Sequence, residues 1–152
     1  MADSASSTAD AAAAQARAEA LAGALLAGDA FTRWLGAELV AVAPGQCTLR
    51  MRVRDEMVNG FGVAHGAIVF ALADSAMAFA SNTHGTVTVS VENSVSYPQP
   101  VRAGDLLTAT AEEESASARL AFYRVVVRSA GGAVVALFRG TVYRTKKTLS
   151  AE

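Results

Sequence analysis

The sequence predicts an α+β subunit in which a curved antiparallel sheet of about six strands wraps around one long helix, and three observations carry that reading. Residues 66–82 are apolar or small almost throughout, a stretch longer than a strand. The flanking segments instead alternate with period two. Turn dipeptides, Pro44-Gly45 and Gly131-Gly132, join neighbouring alternating segments as hairpins, and the strands are not spaced as βαβ units.

Residues 1–28 form an Ala-rich leader whose sizeable apolar groups are Leu21, Leu25 and Leu26, with the first ten residues expected to be disordered and "AEALAGALLAG" a loose helix. The main domain is placed at 29–147 and a flexible tail at 148–152. Asp29 caps a short helix through Phe31, Trp34 and Leu35 that Gly36 ends. "ELVAVA" and "CTLRMRVR" follow as a hairpin. The second strand puts Cys47, Leu49, Met51 and Val53 on one face and Thr48, Arg50, Arg52 and Arg54 on the other. Cys47 reads as a small buried hydrophobe in step with that apolar face.

After the loop "DEMVNGFGVAHG" comes the long helix, where Ile68, Phe70, Leu72, Met77 and Phe79 are spread around the axis. A helix apolar on every side is enclosed by other elements. Seventeen residues span roughly 26 Å, the length of a sheet. Four strands complete the chain: "TVTVSVENSVSYP", with Val87, Val89, Val91, Val95 and Tyr97 on one face, then "DLLTATAEEES", "LAFYRVVVRS" and "AVVALFRGTVYR". One helix cannot cover both faces and both edges of such a sheet, so a homo-oligomer, a dimer of dimers, is expected.

Composition narrows the function classes. With 13 basic and 14 acidic residues the formal charge is -1, which provides no extended cationic surface for nucleic acid. Arg50, Arg52 and Arg54 read as an exposed strand face. The apolar run is too short, and interrupted by Asp74, to span a membrane; the N-terminus lacks the basic start of a secretory signal. A cytoplasmic protein without membrane partners is expected. One cysteine and two histidines, none at ligand spacing, argue against a protein-built metal site. "GFGVAHG" is one residue too long between glycines for a dinucleotide fingerprint.

What remains is Gly66 at the helix start and Asp74 two turns in. The first N–H groups of a helix lack internal acceptors and attract negative charge, and Gly66 lets a ligand oxygen approach closely. That arrangement can serve as an oxyanion hole. An acid inside an enclosed helix is disfavoured by propensity and by desolvation. Asp74 therefore serves either catalysis or a polar partner at a subunit interface. Asn59 can orient a water or a carbonyl, or simply form the Asn-Gly turn. His65 can contact substrate or hold the loop entering the helix, and His84 favourably meets the helix C-terminal dipole.

At "NGFGVAHGAIVFALADSAMAFASNTHG", and on through "YPQPVRAGDLLTATAEE" and "VALFRGTVYR", the chain resembles the hotdog-fold acyl-CoA thioesterases of the phenylacetic-acid degradation type. The resemblance covers residues 30 to 145 or so. It implies a hotdog subunit, active sites at a dimer interface and assembly as a tetramer. It implies Asp74 as nucleophile or general base, the Gly66 backbone as oxyanion donor preceded by His65, Asn59 as the polar loop residue, and Ser90 as a hydroxyl beside the attacking water. The implied substrates are small aryl-acyl-CoA thioesters such as phenylacetyl-CoA or hydroxyphenylacetyl-CoA. Coenzyme A enters as part of the substrate, and no separate cofactor or metal is expected. Arg102, Arg139, Arg144, Lys146 and Lys147 are candidates for the CoA phosphates. Ala67 departs from the second glycine that many relatives carry after His-Gly, which is expected to alter packing and leave the donor intact.

Two other readings share the fold. An enoyl-CoA hydratase of this type typically pairs Asp with His five residues on, and position 79 is Phe. A non-catalytic acyl-CoA-binding protein would need no hydrolytic acid.

Overall fold

The computed structural model describes residues 2–151. A long helix, α1 (Ala2–Gly28), and a short one, α2 (Ala30–Leu35), precede the hairpin β1 (Glu38–Ala43) and β2 (Gln46–Arg52). The central helix α3 (Gly66–Asn82) is followed by β3 (Thr86–Ser96), β4 (Leu106–Ala116), β5 (Leu120–Ser129) and β6 (Val134–Thr148). The six strands form one antiparallel sheet in the order β1-β2-β4-β5-β6-β3, with α3 packed on its inner face. This is the arrangement expected from the sequence. Among the described residues no helix is long and apolar enough to cross a membrane.

Local signals set the helix ends. Asp29 Oδ1 accepts from the Thr32 N–H at 2.9 Å, and Gly36 closes α2 in the left-handed region at φ 78°. His65 caps α3, its Nδ1 accepting from the Ala67 N–H at 3.1 Å. At the other end the Thr83 hydroxyl donates to the Ala80 carbonyl and accepts from the Gly45 N–H, tying α3 to the β1–β2 turn.

The core lies between α3 and the sheet. Leu72, Ala73, Ala76, Met77 and Ala80 are wholly inaccessible, and they meet Leu49 of β2, Leu107 and Ala109 of β4, and Val125 of β5. The alanines let the strands approach the helix axis, while each large side chain contributes about 1.5–3 kcal/mol by leaving water. Cys47 is buried as expected, and burial pushes its thiol up to about 12. The outer face carries the polar residues, including the ion pairs Arg50–Glu38 at 2.9 Å and Arg124–Glu112 at 2.6 Å.

The structure differs from the sequence reading in three places. The leader is one helix from Ala2, where disorder was expected over the first ten residues; Ala18, Leu21 and Ala22 are buried, and Ala22 joins the core. High alanine propensity combined with this docked face accounts for the helix. At the other end Thr148 still belongs to β6, and the Leu149 N–H donates to the Gly85 carbonyl at 2.9 Å, so the tail begins later than 148. Met1 and Glu152, which fall in those two segments, lie outside the described residues.

The third difference concerns β3. Its pairing with β6 shifts between Thr86 and Thr88 and again between Ser90 and Glu92. Such a bulge moves later side chains to the opposite face. Val89 and Val91 are therefore exposed, at 49% and 56%, while Val95 packs against the core; the five apolar residues do not share one face.

Candidate active site

The loop before α3 is rigidly built. Asn59 Oδ1 accepts from the Phe61 N–H at 2.9 Å, the Asn59 N–H donates to the Val63 carbonyl, and Val58 bridges Ala64. Asn59 thus forms the turn its Asn-Gly dipeptide suggests, and its Nδ2 has no acceptor among the described residues. The His65 N–H donates to the Met57 carbonyl, and its ring is engaged as the helix cap. Phe61, at the loop tip, is 93% exposed.

This loop delivers Gly66 as the first residue of α3. Among the described residues the Gly66 N–H has no acceptor, and it sits where the helix dipole is positive. Tyr97 donates its hydroxyl to the Gly66 carbonyl at 2.8 Å, and a Cβ on Gly66 would lie 3.2 Å from the Tyr97 ring. An apolar cleft of about 310 Å³ opens here, bordered by Val63, Gly66, Val69, Tyr97, Pro100 and Val101.

Asp74 lies half-buried on α3, beneath the edge strand β3. Its Oδ1 accepts from Asn93 Nδ2 at 3.0 Å, and Asn93 Oδ1 in turn accepts from Ser90 Oγ at 3.1 Å. Burial pushes the Asp74 carboxyl above its ordinary pKa, and the Asn93 hydrogen bond pulls it partly back. A carboxylate so placed is a stronger base than a solvated one and retains a lone pair for a proton or an electrophile.

The expected residues thus fall into two groups. Gly66, His65 and Asn59 gather at the start of α3, and Asp74 and Ser90 are joined through Asn93. Eight residues of helix, about 12 Å along the axis, separate Gly66 from Asp74.

The basic candidates are scattered. Arg139 is exposed on the outer face beside Ser94, and the Arg144 guanidinium donates to the Ser117 carbonyl at 2.9 Å. Arg102 is exposed in the loop before β4; its backbone N–H donates to Asp105 Oδ2. Lys146 and Lys147 are exposed near the end of β6. His84 is not free at its helix end but lies 2.9 Å from Glu113 Oε2, which also accepts from the Tyr123 hydroxyl. No three His, Cys, Asp or Glu side chains among the described residues gather as a metal site.

Asn93, Tyr97 and Gly140 were missed. Asn93 faces Gly140 across the β3–β6 pair, where a Cβ on Gly140 would fall 2.6 Å from Asn93 Oδ1 and against the Met77 sulfur. A glycine in a strand interior marks such a close approach, and an asparagine within an otherwise apolar alternation is the matching signal.

Comparisons with known proteins point one way. The family model for the thioesterase superfamily matches residues 61–136. The acyl-coenzyme A thioesterase PaaI of Escherichia coli is 33% identical over 124 residues, 82% of this chain and 89% of that protein. Its solved structure superposes with a TM-score of 0.87, covering 90% of this chain and 99% of the other. Human acyl-coenzyme A thioesterase 13 is 34% identical over 115 residues, 73% of this chain and 82% of its own. A mutant of the phenylacetic acid degradation protein PaaI from Thermus thermophilus is 43% identical with a TM-score of 0.74, covering 77% of this chain and all of that one.

Proposed function

Because this chain belongs to the thioesterase superfamily, as a hotdog-fold acyl-CoA thioesterase, we propose that it hydrolyses small aryl-acyl-CoA thioesters, phenylacetyl-CoA or hydroxyphenylacetyl-CoA in type, to the free acid and coenzyme A. The observation that carries the reading is the unpaired Gly66 N–H, at a positive helix end and bordering an apolar cleft sized for a ring. That the Escherichia coli relative comes from the phenylacetic acid degradation operon supports the aryl group.

In this mechanism the thioester oxygen rests on the Gly66 N–H, and Asp74 either takes a proton from the attacking water or attacks the carbonyl carbon itself. The tetrahedral oxyanion forms against the amide, then collapses and expels the thiolate, which leaves with a proton as the CoA thiol. In the nucleophilic route, water afterwards cleaves the Asp74 anhydride. A thiolate leaves readily, so no Ser-His pair is needed, and the chemistry calls for neither cofactor nor metal.

Groups about 12 Å apart on one helix cannot flank one carbonyl carbon. We therefore pair Asp74 of one protomer with Gly66 of a second, in a homo-oligomer joined across the open β3 edge and assembled as a tetramer. Asn59 and His65 shape the oxyanion loop, Ser90 acts through Asn93, and the arginines and lysines outside the cleft remain candidates for the nucleotide phosphates.

The test is thiol release from phenylacetyl-CoA by the wild type and by Asp74→Asn. Loss of about 10²–10⁴-fold in kcat is expected for removal of the base. A variant with near-wild-type turnover would remove Asp74 from the chemistry, and wild-type protein that binds the thioester without releasing thiol would make it a binding protein for that acyl group. Single turnover in ¹⁸O water separates the routes, since a nucleophilic Asp74 itself acquires the label.

A further inference from the structure

Asp74 accepts one hydrogen bond from a neighbouring side chain, and that neighbour is held as deliberately as the acid. Asn93 offers both a donor and an acceptor, and which end meets Asp74 depends on the other end. Ser90 donates to Asn93 Oδ1 at 3.1 Å, so Nδ2 points at Asp74 Oδ1, 3.0 Å away. The bulge between Ser90 and Glu92 is what turns Asn93 inward, and Gly140, opposite on β6, leaves the room its amide occupies.

We infer that Asn93 is a positioning residue for the reaction: its amide, oriented by Ser90 and admitted by Gly140, holds Asp74 Oδ1 and leaves Oδ2 to face the reacting oxygen. The inference rests on the reading of Asp74 as base or nucleophile. It assigns Ser90 a task different from direct contact with water, since the Ser90 hydroxyl hydrogen is committed to Asn93.

Asn93 also keeps the acid in its working form. A donor to a carboxylate favours the ionised state, opposing the burial of Asp74. The charged groups on elements packed against α3 are engaged or exposed elsewhere. Arg50 pairs with Glu38, Arg52 donates to the Gly104 carbonyl, Glu112 pairs with Arg124, and Glu113 meets His84 and Tyr123. Glu92 and Arg139 are exposed, Asp29 caps α2, Arg33 donates to the Leu26 and Ala27 carbonyls, and Tyr97 is bonded to Gly66. Within one protomer, burial raises the Asp74 pKa and the Asn93 hydrogen bond lowers it.

Asn93→Leu, close in volume but with no donor, tests this in the full-length protein. On the acidic side of its pH profile kcat/KM for phenylacetyl-CoA is expected to fall about tenfold, the equivalent of a hydrogen bond to a charged group, and to recover in part as pH rises. Asn93→Asp, which keeps the shape but offers a second carboxylate, is expected to shift the acid limb further in the same direction. Should Asn93→Leu fail to fold, Asn93→Asp carries the test. A ¹³C titration of the Asp74 carboxyl, assigned by its absence in Asp74→Asn, should follow the acid limb in each variant. An uncatalytic role for Asn93 predicts a uniform loss at every pH with the titration unmoved, and that result overturns the inference. Asp74→Asn distinguishes the two failures: if that variant stays active, the reading of Asp74 itself is wrong; if it is inactive while the Asn93 variants keep the wild-type profile, only the present inference falls.

Discussion

The Tyr97 hydroxyl donates to the Gly66 carbonyl at 2.8 Å, and the same ring fills the space a side chain at residue 66 would enter. Gly66→Ala therefore keeps the N–H but pushes Tyr97 or the helix start aside. Because an oxyanion donor works only where it is aimed, kcat/KM is expected to fall about 10–100-fold. The melting temperature should change little, since alanine suits a helix. Tyr97→Phe, which retains the ring and loses one hydrogen bond, is expected to cost about 1 kcal/mol or less and to spare most of the activity. Steady-state kinetics and calorimetry on the two variants check both expectations.

Asp74 is predicted to oppose folding at neutral pH. Burial raises its pKa in the folded state, so between the ordinary carboxylate value and the raised one the folded protein binds the extra proton. Stability from this group consequently declines as pH rises through that window and is regained as pH falls. Asp74→Asn removes the charge, and its Oδ1 can still accept from Asn93. The variant should melt above the wild type at pH 7, with the gap closing towards low pH, while activity is lost. Thermal melts across pH measure it; a wild type that is the more stable at pH 7 would contradict the sign.

Gly140→Ala should disturb acid and core together. The added methyl falls 2.6 Å from Asn93 Oδ1 and against the Met77 sulfur, so one of them must move. Overpacking of this kind costs about 1–3 kcal/mol. Displacement of Asn93 should also reproduce the acid-side loss expected for Asn93→Leu. Denaturant melts together with the pH profile separate the two effects.

Val89→Lys on β3 is predicted to separate the protomers. An edge lysine is a barrier to strand pairing, and Val89, half exposed on an uncovered edge, packs little against its own chain. Sedimentation should show smaller species, and turnover should fall with them if the proposed site, drawn from two chains, is the working one. A monomer with full turnover would contradict the composite site.

The bounds of α3 were legible because its signals are local: His65 and Gly66 open it, and a continuous apolar and small run fills it through Asn82. The hairpin at Pro44-Gly45 and the short helix between Asp29 and Gly36 were legible for the same reason. The bulge in β3 was not, because the alternation of its valines continues straight through Ser90 while the pairing with β6 shifts there. Asn93 falls in step with Val95 on the alternating face, so its polar character among the valines was visible, but nothing in the alternation gave Asp74 as the group it meets. The docking of α1 was hidden too, since an alanine face becomes apolar enough to bury only when a partner surface is already present.

That docking bears on how the protein avoids aggregating. Gln15 on α1 donates from Nε2 to the Val42 carbonyl of β1 at 2.8 Å, so one border of the sheet is roofed by the chain's own leader, while among the described residues β3, at the other border, has no strand beyond it. A ribbon with a single open rim can join another like it rim to rim only once; such a pair has no rim left over, which blocks strand-by-strand growth into a fibre and leaves only the sheet faces for further assembly.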